Sequence, residues 1–176
     1  MENYEGGDLH GTTRRYNPAG ELLVEKTYRH GTLLSYRGPN PAAPVQPLVN
    51  QTGPVALAFA NGKPAVAEAF DRNLPTGATT FYYSSGEVFR RTSYLKGLRT
   101  GLLESFYPGG KRMEEEQYLH GELHGRCRYY RPDGTLEREE TYRSGERRGP
   151  TTYFDAAGKP LRTENYWNLM VYDTKK

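Results

Sequence analysis

Four histidines and a single cysteine are the side chains of this 176-residue chain best suited to metal or nucleophilic chemistry. His120, His124 and Cys127 stand close enough in sequence to supply three ligands of a transition-metal site, where imidazole and thiolate are the usual donors. No fourth ligand follows at a matching spacing, so no metal is expected. His10 and His124 each directly precede one type of recurring glycine, and His30 and His120 each precede another. Residues that recur in this way belong to a repeated connection first and to a site second. One cysteine also excludes an intrachain disulfide framework.

Catalysis finds no support elsewhere. There is no GxSxG, no phosphate-cradling glycine loop opening a helix, and no nucleophile with an evident base. Paired carboxylates such as Glu115–Glu116 and Glu139–Glu140 are frequent, but on a flat, wetted sheet they lack the desolvation that tunes an acid or base. The chain reads as a non-enzyme that needs no cofactor.

What positions these residues is a strict repeat. Gly53, Gly77, Gly101, Gly125 and Gly149 recur every 24 residues. A second glycine series (Gly62, Gly86, Gly110, Gly134, Gly158) follows in phase, then an aromatic series (Phe70, Tyr94, Tyr118, Tyr142, Tyr166). Gly97, Gly121 and Gly145 form a fourth series, with Asn73 and Leu169 as exceptions. Gly11, Gly20, Tyr28 and Gly31 fit the same frame, and Tyr4, Gly7 and Gly11 repeat the phase of Tyr118, Gly121 and Gly125. That gives a half-repeat and a first repeat over 4–31, a Pro-rich insertion loop over 32–52, and five contiguous repeats over 53–172, all within one repeat domain, 1–176.

Each unit reads as a β-hairpin. A short arm ending in aromatics, such as RCRYY (126–130), leads to a turn such as Arg131-Pro132-Asp133-Gly134, and an eight-residue arm ending at the repeat tyrosine follows. Proline presets φ at the turn entry and glycine supplies the positive φ other residues resist. Three glycines per unit leave no room for a helix. The fold class is therefore all-β: an elongated antiparallel sheet of consecutive hairpins. Tyr16, Tyr82, Phe106, Tyr130 and Phe154 should form one aromatic ladder and the series ending at Tyr166 another, with cross-strand pairs contributing about 0.2–1 kcal/mol each.

The unit YLHGELHGRCRYYRPDG (118–134) resembles the MORN repeat, most closely its bacterial variant. Bacterial chains made of such units are often classed as YwqK-like antitoxins or immunity proteins. The resemblance implies a hairpin-built sheet and a role in binding proteins, not catalysis.

Two departures from the pattern matter. In 53–76, Ala58 replaces the first-arm aromatic, and Val55–Ala60 is the most apolar stretch, which suggests burial beneath the insertion or a partner. The insertion carries Pro39, Pro41, Pro44 and Pro47 and is expected to be an extended loop across a face or edge; PAAPVQP (41–47) also has the spacing of a polyproline ligand.

Charge points to a partner. Lys and Arg number 24 against 21 Asp and Glu, so the net charge is only +3, with hydrophobic residues at 35% and no isoleucine. Interleaved signs disfavour nucleic acid. Strand periodicity puts Glu114, Glu116, Glu140 and Glu164 on one face as an acidic stripe, a docking strip for a basic toxin or effector domain. Exposed Tyr83, Tyr107 and Tyr129, with Arg128 and Arg131, are the expected anchors, since aromatics and arginine dominate interfaces. The alternative is a peripheral membrane or scaffold module acting through Arg90, Arg91, Arg126, Arg128, Arg147 and Arg148, disfavoured by the lack of an amphipathic helix or polybasic run. Self-association through open strands is a third route. Without an apolar span or signal-like N-terminus, the chain reads as soluble and cytoplasmic, a mature exported form being compatible with the same sequence.

Overall fold

A computed structural model describes residues 4–47, 52–167 and 170–173. Among them the chain is all-β and antiparallel, as the repeat predicts. Where the sequence suggests one repeat domain, the fold divides into two compact units, Met1–Phe89 and Arg90–Lys176.

The first unit contains β1 (Tyr4–Glu5), β2 (Asp8–Leu9), β3 (Gly11–Tyr16), β4 (Leu22–Arg29), β5 (Thr32–Arg37), β6 (Gln46–Pro47), β7 (Gly53–Ala58), β8 (Pro64–Asp71) and β9 (Leu74–Tyr82). One sheet runs β3-β4-β5-β6, and β7, β8 and β9 pair as a second. The two meet through apolar side chains. Leu23, Val24, Leu33 and Tyr36 on one side and Val55, Leu57, Val66 and Phe70 on the other are buried, and the Tyr36 and Phe70 rings meet edge-on at 5.6 Å.

This arrangement revises the reading of 32–52. Thr32–Arg37 is a strand paired with β4, not loop. It went unseen because Ser35 occupies the glycine phase and Tyr36 is off the aromatic phase, so the repeat frame is silent there. Leu33 and Tyr36 are both buried, but they stand three residues apart across a register shift, so no period-2 alternation marks the strand either. The apolar arm is indeed covered: Val55, Leu57 and Phe59 point inward, and Gly38 of the insertion lies against Leu57.

The chain enters the second unit within β10 (Val88–Leu95). There follow β11 (Leu98–Phe106), β12 (Arg112–Leu119), β13 (Glu122–Leu123), β14 (Gly125–Tyr130), β15 (Leu136–Arg143), β16 (Glu146–Arg147), β17 (Gly149–Phe154), β18 (Pro160–Trp167) and β19 (Met170–Asp173). Strands follow one another as neighbours from β10 to β19, with β13 and β16 as short side pairings on β12 and β15.

Two local devices recur. At every hairpin turn, the residue that opens it donates its N–H to the carbonyl four residues on and accepts from the turn glycine: Asn17, Phe59, Tyr83, Tyr107, Arg131 and Asp155 all do so at 2.8–3.1 Å. A bulge directly precedes the turn in the hairpins β3–β4, β7–β8, β11–β12, β14–β15 and β17–β18. At the opposite ends, His30, Lys96, His120 and Ser144 take positive φ (46° to 51°) ahead of a positive-φ glycine, the two-residue turn whose twist matches paired strands. Leu169, one exception to this series, lies outside the described residues.

Candidate partner-binding surface

In the second unit the two sheet faces carry different chemistry, set by the alternation of side chains along each strand. On one face a lateral row crosses five strands. Arg91 pairs with Glu104 at 2.5 Å, Arg112 bridges Glu104 (3.5 Å) and Glu115 (2.5 Å), and Arg128 bridges Glu115 (3.7 Å) and Glu139 (2.8 Å). Opposite charges facing across strands stabilise the sheet where like charges would not. Glu104 and Glu115 stand directly opposite one another, and Arg112 is what makes that pairing tolerable.

The other face holds the expected acidic stripe, but not as an exposed strip. Glu114 accepts hydrogen bonds from Ser105 (2.7 Å) and Arg90 (2.6 Å). Glu116 accepts from Tyr118 (2.9 Å) and Tyr129 (3.2 Å). Glu140, only 2% exposed, accepts from Tyr142 (2.8 Å) and lies 2.9 Å from Arg138 and 3.1 Å from Arg147. Glu164 accepts from Tyr166 (2.9 Å) and Tyr153 (3.4 Å) and sits 3.3 Å from Arg162. The four share a face, as the periodicity implies, yet each already has partners of its own sheet: arginine for Glu114, Glu140 and Glu164, and two tyrosine hydroxyls for Glu116. A buried carboxylate must be partnered, because its desolvation costs several kcal/mol otherwise.

The aromatic series is likewise rebuilt around cations. Arg99 lies 4.6 Å over Tyr118, Arg138 4.1 Å over Tyr129, Arg162 4.2 Å over Tyr153, and Arg147 faces both Tyr142 and Tyr166 at 5.9 and 4.9 Å. Guanidinium groups thus fill the gaps between repeat tyrosines, a favourable contact with the ring's negative face. Burial first, and then the neighbouring carboxylates, push the Tyr118 and Tyr129 phenols well above their usual range. Burial likewise raises Cys127 to about 11, with Glu116 and Glu140 adding to it. The thiol is fully buried within the sheet.

The three expected anchors at the turns serve the fold. Tyr83 is 3% exposed and packs against Phe89 at 5.5 Å, which corrects its assignment as an outward side chain. Tyr107 donates to the Tyr130 carbonyl at 2.8 Å. Arg131 donates to the carbonyls of Leu136 (3.1 Å), Phe154 (2.5 Å) and Asp155 (3.1 Å). Each opens a turn, and the bulge before Tyr107 and Arg131 reverses the alternation on which outward pointing was inferred. The basic patch is spent in the same way: Arg90, Arg91, Arg128, Arg147 and Arg148 all sit in ion pairs.

What remains open lies on the face of the lateral row. Leu102, Glu115, Gln117, Gly125, Arg126 and Arg128 line a groove of about 440 Å³ across β11, β12 and β14. Leu102 is 44% exposed. Arg126 is exposed and, among the described residues, is in no ion pair. Gly125 lines it without a side chain, and a Cβ there would stand 2.5 Å from Gln117 Oε1. Arg126 belongs to the basic patch read from the sequence, whereas Leu102 was singled out by neither periodicity nor charge; two adjacent leucines on one short arm were the available signal.

The first unit carries a second concavity of about 320 Å³, with Lys26, Tyr28, Tyr36, Phe70 and Pro75 in its wall. Lys26 Nζ lies 3.4 Å from Glu68 and 4.5 Å above the Tyr36 ring. Burial lowers the Lys26 pKa against the opposing pull of Glu68. This is a buried pair joining the two sheets, and it has no counterpart among the expected site residues.

Comparison with known proteins agrees with the architecture. The family model described as MORN repeat variant matches residues 9–36, 99–120 and 123–144. The matched segments carry MORN-type repeats, and MORN repeats are generally modules that bind proteins or membranes. No curated protein matches it. A solved structure of an S. aureus TarM mutant in complex with fondaparinux, alpha-GlcNAc-glycerol and UDP is similar at 10% identity and a TM-score of 0.35. The similarity spans 57% of this chain and 20% of that one.

Proposed function

We propose that this protein is a non-catalytic binding module that neutralises a toxin or effector domain by direct contact, as an antitoxin or immunity protein does. The partner class rests on the resemblance of the 118–134 unit. The docking surface rests on one observation: in a unit whose carboxylates are nearly all consumed internally, the β11–β12–β14 groove keeps an exposed leucine beside an arginine with no carboxylate partner. Its complement is an extended partner segment carrying a carboxylate next to an aliphatic side chain. This reverses the polarity expected from the acidic stripe, which is satisfied by Arg and Tyr of its own sheet.

The test is affinity capture with the intact chain, its Arg126→Glu variant and a Glu137→Lys control on an exposed position away from the groove. One stoichiometric protein retained by wild type and control but lost by Arg126→Glu places the contact in the groove. Growth arrest by that protein alone, relieved on co-expression with the wild-type chain, supports the antitoxin reading. Capture indifferent to Arg126→Glu, or binding only to anionic vesicles, overturns it.

A further inference from the structure

Glu5, His10 and His30 converge in the first unit although they are far apart in sequence. Glu5 ends β1 and His10 follows β2, its hairpin partner. His30 is brought over them by the turn after β4, where the Gly31 N–H donates to the Leu9 carbonyl at 2.9 Å. His30 itself is held at φ 46° by that turn. The two imidazoles stand edge to face with centroids 5.1 Å apart. One donor atom from each of the three residues lies within 4.8 Å of the others.

The contact between His10 and Glu5 is informative. His10 Nδ1 is 3.0 Å from Glu5 Oε2, yet it is shielded from solvent and not aligned for a hydrogen bond. Two donors side by side, close but not bonded to each other, are what a shared cation requires. Around Zn²⁺, ligands at about 2.1 Å in a tetrahedron are separated by about 3.4 Å, so small side-chain rotations close the site.

The repeat supplies an internal comparison. Leu119, His124 and Ser144 occupy in a later unit the phase of Glu5, His10 and His30, and Leu95, Thr100 and His120 do so one unit earlier. Neither set holds more than one metal donor. The backbone of the connection therefore needs none of these side chains, and only one copy carries all three.

We propose that Glu5, His10 and His30 form a Zn²⁺-binding site with two imidazoles, one carboxylate and a solvent-facing fourth position. Nitrogen and carboxylate donors of this kind suit Zn²⁺ and its borderline neighbours over Mg²⁺ or Ca²⁺. The exposed Glu5 and His30 leave the remaining position open to water or to a ligand from a partner.

The test is titration of the full chain with Zn²⁺ against a chromophoric chelator, alongside NMR of the imidazole resonances. One Zn²⁺ per chain is expected, with the His10 and His30 signals shifting and those of His120 and His124 unmoved. His10→Ala and Glu5→Gln should each weaken binding by about tenfold or more, and His124→Ala should not. His30→Asn retains a residue that tolerates the left-handed turn, so its loss of affinity reports ligation and not unfolding. Absence of stoichiometric binding, or equal binding by wild type and His10→Ala, overturns the site.

Discussion

At the scale of single residues, Glu140 shows how this protein uses charge. Its carboxylate is buried, and its partners Arg138, Arg147 and Tyr142 come from its own strand and from β16. Removing the carboxylate leaves two guanidinium groups with their counter-charge gone, so Glu140→Gln is expected to cost about 3 kcal/mol in denaturant unfolding. Exposed Glu137→Gln should stay within about 0.5 kcal/mol. Cys127, directly opposite Glu140 in register, is fully buried and its thiol is raised to about 11. Alkylation of the native protein at pH 8 should therefore be slow and should accelerate only when the chain unfolds; rapid native labelling would contradict the burial. The inward orientation of these groups was the least legible feature of the sequence. Alternation correctly put Glu114, Glu116, Glu140 and Glu164 on one face, but it cannot distinguish a face left in water from one sealed by its own arginines and tyrosines. Nor could spacing assemble Glu5, His10 and His30, because reading histidines by repeat phase hides the one unit in which three equivalent positions all bear donors.

At the scale of strands and turns, the repeat frame was highly legible. Glycine spacing located the turns, and the aromatic series located the ends of the long arms. What it concealed follows from two physical facts. The bulge one step before these turns shifts the alternation, so Tyr107 and Arg131 bond to the neighbouring turn. And β5 pairs with β4 despite lacking the glycine phase, since a strand needs only inward apolar residues and an edge to bond. Gly125 tests the connection and the groove together. It sits at φ 93° and begins β14, so Gly125→Ala should cost about 1–3 kcal/mol in backbone strain. The same change drives a methyl group toward Gln117 and narrows the groove, so partner affinity should fall beyond what lost stability explains. Unchanged binding by the folded variant would remove the groove from the contact surface.

At the scale of the whole molecule, the tyrosines acting together dictate an alkaline limit. Tyr36, Tyr118, Tyr129, Tyr130 and Tyr142 are all held above the ordinary phenol value, burial being the first cause in each. An unfolded tyrosine releases its proton near pH 10. Above that pH the native state binds more protons than the unfolded one, so stability falls as pH rises. Lys26 acts in the opposite sense below about 10.5, because burial disfavours its charged form and the unfolded chain binds the extra proton. One lysine against five phenols leaves the net slope downward. Thermal melts should be flat through neutral pH and collapse beyond about pH 10, with a step in tyrosinate absorbance accompanying unfolding as these five phenols are released.

The hairpin turns carry a consequence for how such a chain changes in length. Three pairs of successive turns are tied by side chains reaching 22 or 23 residues ahead: Asn61 to the Ser84 carbonyl, Lys63 to Ser85, Tyr107 to Tyr130, Lys111 to Asp133, and Arg131 to Phe154. At the other end, Gly121 and Gly145 donate backward to Arg99 and Leu123 across the same interval. Periods tied in this way bring their own fasteners on both margins. Duplicating residues 125–148 should yield a folded, longer protein, whereas inserting half a period should not, so gene segments of one period are the natural currency by which this architecture grows or shrinks.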